Sequence, residues 1–494
     1  TNTNGTVHMP GVTISTAVRS GPIGNTIRPS SQAFFCGLAD RGPTDKAVLC
    51  GSLVDFESVF GQYQSYSYLH PTVETFFEEG GTQCWISRVA GPSATTGFVT
   101  LTDGSNDTVT FTANGPGAWS SGLAVTTAVG SIANSKTVSL SLSGVTIFVA
   151  TDTTASDQIV SKFSSSTIAS YYVTVTDEGG GLVDTYSNPQ SLAAGDDDRS
   201  NITSAHYVAG LTNFNDAYGV GAVACPESEV QAVYQGLLDH ANSHNRIAIL
   251  HSAAAQTAAQ AETLGTTIRG NESNTEHGAL YWPWINVPTS LTGVTRKIPP
   301  DGYVAAARAR AHNGKGSHQP GAGTISVARW VASLESEANS AVGNALDYDN
   351  VNALRVINGS IRVYGARSLS NDTSNFRYIT AQDTINGVVY EANKTLEELI
   401  FSVIDGRGNI FASVKARLIA ILEPRRISGA LYEAFDAVGK RIDMGYTVKC
   451  DKGLNPATQL ADGLIKAKIG VRVSSVGDQI NVDIVKSNLT TSVV

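Results

Sequence analysis

Ala33-Phe-Phe-Cys-Gly-Leu-Ala39, followed by the polar corner Asp40-Arg-Gly-Pro-Thr-Asp-Lys46, is the stretch on which the fold turns. An apolar run of this length closed by turn-forming residues predicts a strand. Working outward, residues 47–50 form a second short strand, two amphipathic helices follow, and Cys84-Trp-Ile-Ser-Arg-Val89 closes the unit as a strand. Ser52 lies three residues before Asp55, the spacing that satisfies free amides at a helix start. Gly80-Gly81 supplies the positive φ that ends the second helix. Upstream, residues 1–30 are rich in Gly, Pro, Thr and Ser, and the alternation of Val12 and Ile14 predicts an extended, strand-like arm.

A chain of 494 residues divides into several domains and can bury large cores. Hydrophobic residues make up 41% and charged residues only 16%, below the roughly 25% charge of an average soluble domain, which favours an assembly subunit. A net charge of −9 argues against general nucleic-acid binding. Five scattered cysteines without a Cys-x-x-Cys pair predict neither a disulfide framework nor a zinc site, and suit a reducing cytoplasm. No signal-peptide pattern and no apolar run of about 18 residues is present, so a soluble protein without direct membrane insertion is expected.

Residues 91–195 change character. Patterns such as Thr108-Val-Thr-Phe-Thr112 and Tyr172-Val-Thr-Val-Thr176 alternate, and seven acidic residues face two basic ones, predicting an inserted antiparallel β domain with an acidic surface. From Gly219 the pattern is β/α. Gly219-Val-Gly-Ala-Val-Ala-Cys225 predicts a buried strand, Pro226 a first helical turn, residues 230–241 a helix and Arg246-Ile-Ala-Ile-Leu250 the next, parallel strand. Three amphipathic helices are expected near residues 396–404, 410–422 and 427–442. A strand at Tyr446-Thr-Val-Lys-Cys450 and an alternating tail with Ile480, Val482 and Ile484 then close the chain.

These landmarks, in order, resemble the tail sheath proteins, the contractile sleeve subunits of long-tailed bacteriophages and related injection machines. The resemblance rests on Pro10-Gly11-Val12, Ala33-Phe34-Phe35-Cys36-Gly37, Arg41-Gly42-Pro43, Asp55-Phe56 with Phe60-Gly61, Phe76-Phe77-Glu78-Glu79-Gly80-Gly81 and Trp85-Ile86-Ser87-Arg88-Val89. It continues through Ala113-Asn-Gly-Pro-Gly-Ala-Trp119, Leu192-Ala-Ala-Gly-Asp-Asp197, Ala279-Leu-Tyr-Trp-Pro-Trp-Ile285, Pro299-Pro-Asp-Gly302, Gly365-Ala-Arg-Ser-Leu-Ser370 and Cys450-Asp451 with Asn455. Two positions depart from the family pattern: Ile404-Asp-Gly-Arg-Gly-Asn409 replaces its "FEPN" segment, and Ala194 stands where a glycine is usual.

The resemblance implies an α+β/α/β multidomain chain. Its parts would be an N-terminal arm (1–30), the first part of the core domain (31–91), an outer β domain (92–195), a β/α middle domain (196–365), a C-terminal sheath domain facing the tube (366–470) and a C-terminal arm strand (471–494). It also implies a virion structural subunit that stacks as six-fold rings around a tail tube, with the tube, baseplate and tail terminator proteins as partners. The arms would add strands to neighbouring subunits, through Met9, Pro10, Gly11, Val12 and Ile14 at one end and Val471, Val473, Ile480, Val482 and Ile484 at the other.

Other chemistry finds little support. Gly219-x-Gly221-x-x-Ala224 mimics a dinucleotide fingerprint but begins a strand instead of joining strand to helix. Asp196-Asp-Asp198 lacks a second ligand set at calcium-loop spacing. His240 and His244 share a helical face without the glutamate of a zinc protease motif. No nucleophile elbow appears, so an enzyme, a cofactor and a metal are not expected. Charge is more informative. Between residues 415 and 472 eleven basic residues face six acidic ones, +5 within a chain of −9. This predicts an acidic partner surface, and the resemblance implies that this partner is the inner tube, with Lys415, Arg417, Arg425 and Arg426 as the tube-facing contacts.

Overall fold

The computed structural model describes residues 29–289 and 293–478. The expected arm residues Met9, Pro10, Gly11, Val12 and Ile14, and likewise Ile480, Val482 and Ile484, lie outside the described residues.

Ala33–Gly37 is a strand, and all five of its residues are buried. Successive side chains of a strand point to opposite faces, so a continuous apolar run serves two cores at once. Phe35 packs with Phe56, Phe60, Val73 and Phe76 on one face, while Phe34 and Cys36 pack with Phe214, Val233 and Leu237 on the other. The strand sits inside an eight-stranded sheet. From one edge the order is Ser360–Val363, Val351–Ile357, Gly278–Trp282, Ile247–His251, Ala222–Ala224, Ala33–Gly37, Cys84–Arg88 and Val48–Cys50. The six inner strands are parallel and both edge strands antiparallel. Residues 31–91 and the β/α stretch that begins near 219 therefore build one sheet with helices on both faces.

The helix Leu53–Phe60 starts where Ser52 accepts from the Asp55 amide at 3.1 Å, and the helix Leu69–Glu78 stops just ahead of Gly80 at φ 94°. Pro226 does not open a helix: the next one, Gln231–Ser243, begins five residues later, because residues 227–230 turn across the end of the sheet.

The inserted domain has its own core, with Val109, Phe111, Val125, Leu140, Ile159 and Phe163 buried between two antiparallel sheets. It adds one element the alternating pattern did not announce, the helix Ser156–Ser165. The chain enters and leaves it through a narrow neck. Thr95 and Asp196 pair as an antiparallel bridge, and the Gly91 amide donates to the Asp197 carbonyl at 2.9 Å. A Cβ on Gly97 would lie 1.7 Å from the Ala193 carbonyl oxygen, so this closeness requires glycine. Arg88, at the end of the core strand, braces the neck by donating to the carbonyls of Ala39, Gly42 and Pro116 at 3.1, 2.8 and 2.9 Å.

The C-terminal part differs from expectation in two of its three helices. A 19-residue helix, Ile379–Glu397, precedes the region predicted at 396–404, which is mostly loop. The helix Asn409–Ile427 matches the second. Where a third was expected at 427–442, the chain forms a hairpin, Ala434–Phe435 with Arg441–Asp443, preceded by Gly429 at φ 81° and turning through Gly439 at φ 82°. Positive φ at both glycines breaks a helix that apolar spacing alone would allow. A two-stranded sheet, Tyr446–Lys449 with Lys468–Val471, packs its Val448 and Ile469 against the helix pair.

Candidate assembly interface

An open parallel sheet offers a ligand crevice beyond its strand ends, where the chain order reverses. Here that point lies between Ala33–Gly37 and Ala222–Ala224, since the following helices cover opposite faces. The chain fills the crevice itself. Glu227, just after the second of these strands, accepts from the amides of Leu38, Tyr68 and Leu69 at 3.3, 3.0 and 3.0 Å and from Ser67 Oγ at 2.7 Å. Its carboxylate thus occupies the N-terminus of the helix Leu69–Glu78, where a bound anion would sit. Burial raises its pKa above the usual glutamate value, and these hydrogen bonds oppose that rise.

The remaining chemical candidates are structural in the same sense. Gly221 passes so close to Gln32 that a Cβ would lie 2.5 Å from its carbonyl oxygen, a strand contact and not a phosphate loop. Asp198 accepts from the Ser93 amide at 2.9 Å and from Asn201 Nδ2 at 2.6 Å, and Asp197 pairs with Arg199 at 2.9 Å, so the acidic triplet ties the base of the neck. His240 accepts from Arg246 Nη1 at 2.7 Å, and His244 meets Asp216 at 2.6 Å. Among the described residues no group of three or more His, Cys, Asp and Glu is placed to hold a metal ion, and no helix is long and apolar enough to cross a membrane.

The four cations chosen from sequence all lie on the helix Asn409–Ile427, yet three are neutralised by the chain itself. Arg417 pairs with Glu398 at 2.6 Å, Arg425 with Glu391 through two bonds of 2.8 Å, and Arg426 with Glu433 at 2.7 Å and with Glu423. Lys415 is exposed and makes no ion pair among the described residues. Sequence reasoning missed two surfaces on the same domain. The first is apolar: Phe401, Val403, Ile427, Val438 and Ile442 are exposed on the loop after the helix Ile379–Glu397, at the end of Asn409–Ile427 and on the hairpin. Apolar spacing had flagged residues 427–442, but as a core-facing helix. The second is cationic: Lys449 and Lys468 stand opposite one another in the two-stranded sheet.

Of the expected C-terminal arm residues, Val471 pairs with Tyr446 and Val473 bridges Leu431, both within the chain. Asp478 turns back onto the body, meeting Arg367 at 3.0 Å and Tyr378 at 2.6 Å. The described part of the expected arm, residues 471–478, thus makes these contacts within its own chain. Among the described residues the two-stranded sheet has no further strand on either side, leaving both edges with unpaired backbone.

No family model and no curated protein matches the sequence. Solved structures do. A sheath tail protein from Listeria innocua is 13% identical at a TM-score of 0.60, covering 85% of this chain and 89% of that one. The helical sheath of the anti-feeding prophage in its contracted state is 13% identical at a TM-score of 0.56, covering 98% of this chain and 100% of that one. The sheath of an extracellular contractile injection system gives 13% and 0.54 over 98% and 99%. The likeness is one of fold, and the fold is that of contractile sheath subunits.

Proposed function

We propose that the chain is the structural subunit of a contractile phage tail sheath, polymerising as stacked six-fold rings around a tail tube and contracting to drive that tube through the host envelope. The observation that carries this reading is the end-to-end correspondence in fold with sheath subunits, insertion and C-terminal domain included. Assembly starts at a baseplate in the host cytoplasm, is closed by a tail terminator protein and ends in the virion tail. No catalysis is required. Subunits move as rigid bodies between two lattices, and the energy resides in differences between interfaces. The filled crevice at Glu227 suits such a body.

The open edges of the Tyr446–Lys449 and Lys468–Val471 strands are the docking positions for arms of neighbouring subunits, residues 9–16 from one copy and 479–486 from another. Strand addition there contributes backbone hydrogen bonds of about 1 kcal/mol net each, with alternating side chains setting the register. Lys415 faces the tube. A phage-derived injection machine is the second reading, resting on the comparable likeness to injection-system sheaths; capsid and terminase genes beside this one would decide for the phage.

Electron microscopy of the purified full chain tests the proposal. Long tubes of six-fold symmetry are expected, and a chain that stays monomeric at every salt and protein concentration would overturn it. Deleting residues 479–494 should abolish long tubes while leaving the folded monomer.

A further inference from the structure

Between residues 415 and 472 the unpaired positive charge rests on lysines. The arginines of this stretch are paired: Arg417, Arg425 and Arg426 as described, Arg441 with Glu433 at 3.3 Å and Arg472 with Asp443 at 2.8 Å. The lysines of the two-stranded sheet are not. Lys449 and Lys468 are register partners, both exposed, while their neighbours Val448 and Ile469 turn to the helices. Lys466, two residues before Lys468, is exposed as well. None of the three side chains forms an ion pair among the described residues. Like charges directly opposite in a sheet destabilise it, so the isolated chain holds two ammonium groups where they repel. A counter-charge from another molecule would relieve that.

This same chain supplies the counter-charge. It carries −9 overall and +5 between residues 415 and 472, which leaves −14 on the remainder. We infer that the lysine-bearing face of the small sheet is an electrostatic contact between copies, docking onto the acidic body of the next subunit. The inference rests on the sheath reading and adds to it a second kind of contact. Arms bind the edges of this sheet through backbone bonds, whereas the next copy binds its face through charge. A contact joining two different patches is heterologous and propagates, as a ring or helix requires. Being exposed, it weakens with ionic strength.

The test is polymerisation of the full chain, followed by sedimentation and electron microscopy across a salt series, for wild type, Lys449→Glu and Lys394→Glu, the last an exposed lysine on the helix Ile379–Glu397. Lys449→Glu sets opposite charges across the strand pair, so the monomer should melt no lower than wild type and an assembly defect is not a folding defect. Wild type should need more protein to polymerise as salt rises. Lys449→Glu should raise the protein concentration needed at low salt at least tenfold, and Lys394→Glu should leave it unchanged. Lys449→Glu polymerising like wild type overturns the inference but leaves the sheath reading standing. The same holds if it self-assembles normally and loses only its hold on a co-expressed tube protein, since the occupant is then not a copy. A wild type that never polymerises removes both.

Discussion

Ser67 donates its hydroxyl to Glu227 at 2.7 Å across 160 residues of sequence, and that bond closes the crevice where a sheet of this topology could admit a ligand. Glu227→Ala would leave the Leu38, Tyr68 and Leu69 amides and Ser67 without their acceptor. The expected cost is roughly 3 kcal/mol of stability, read by urea denaturation of the monomer. Should the variant prove as stable as wild type, the plug is not structural.

Arg308 and Asp383 join the helix Asp301–Gly314 to Ile379–Glu397. The Arg308 Nε bond to Asp383 is 3.1 Å, both side chains are nearly inaccessible, and Arg308 also donates to the Ser30 carbonyl at 2.6 Å. Asp383→Ala strands a buried guanidinium and should cost about 3–5 kcal/mol, whereas the double variant Arg308→Met/Asp383→Leu should recover most of it. Thermal melts of the three proteins check this, and a double variant worse than the single one contradicts it.

Burial, with the Arg246 guanidinium alongside, pushes the His240 pKa from 6.5 down to about 2. The unfolded chain takes up a proton below pH 6.5 and the folded chain does not, so this group's contribution is complete above that pH. It is lost as the pH falls, by about 1.4 kcal/mol per pH unit. His240→Gln, which keeps an acceptor for Arg246, should flatten the stability slope between pH 6 and pH 4.5 by about one proton. Chemical denaturation at a series of pH values measures it, and an unchanged slope refutes the assignment.

Gly97→Ala forces apart the two neck segments and should destabilise the inserted domain's attachment by about 2 kcal/mol. Faster proteolysis near residues 91–98 is the expected readout. Gly270→Ala, in the helix Ala258–Asn271 with open space around its Cβ, should stabilise by about 0.5–1 kcal/mol. A Gly97→Ala protein cut no faster than wild type would show that the neck yields.

What the sequence revealed depended on whether burial and polarity agreed. At Ala33–Gly37 they agree on both faces, and the strand is legible at sight. In Ile379–Glu397 they do not: Thr380, Gln382, Asp383, Thr384 and Asn386 form much of the buried side, so a search for apolar periodicity passes over the first four turns of that helix. Residues 427–442 show the reverse. Their apolar spacing is real, but Ile427, Phe435, Val438 and Ile442 point outward while Leu431 is buried, and spacing alone cannot tell a core from a surface. Charge shows a third limit. Counting charges along the chain cannot see that Glu391, Glu398 and Glu433 return from elsewhere to neutralise the arginines, and only the register of two strands separated by a short helix and its loops reveals that Lys449 and Lys468 meet.

The neck has a practical corollary. Because Thr95 and Asp196 face each other as bridge partners, their Cα atoms stand only about 5 Å apart. The hundred residues between them close on themselves around an independent core. A foreign module whose own termini lie equally close could be grafted at this junction without lengthening a loop, which makes the neck a socket for exchanging whole domains.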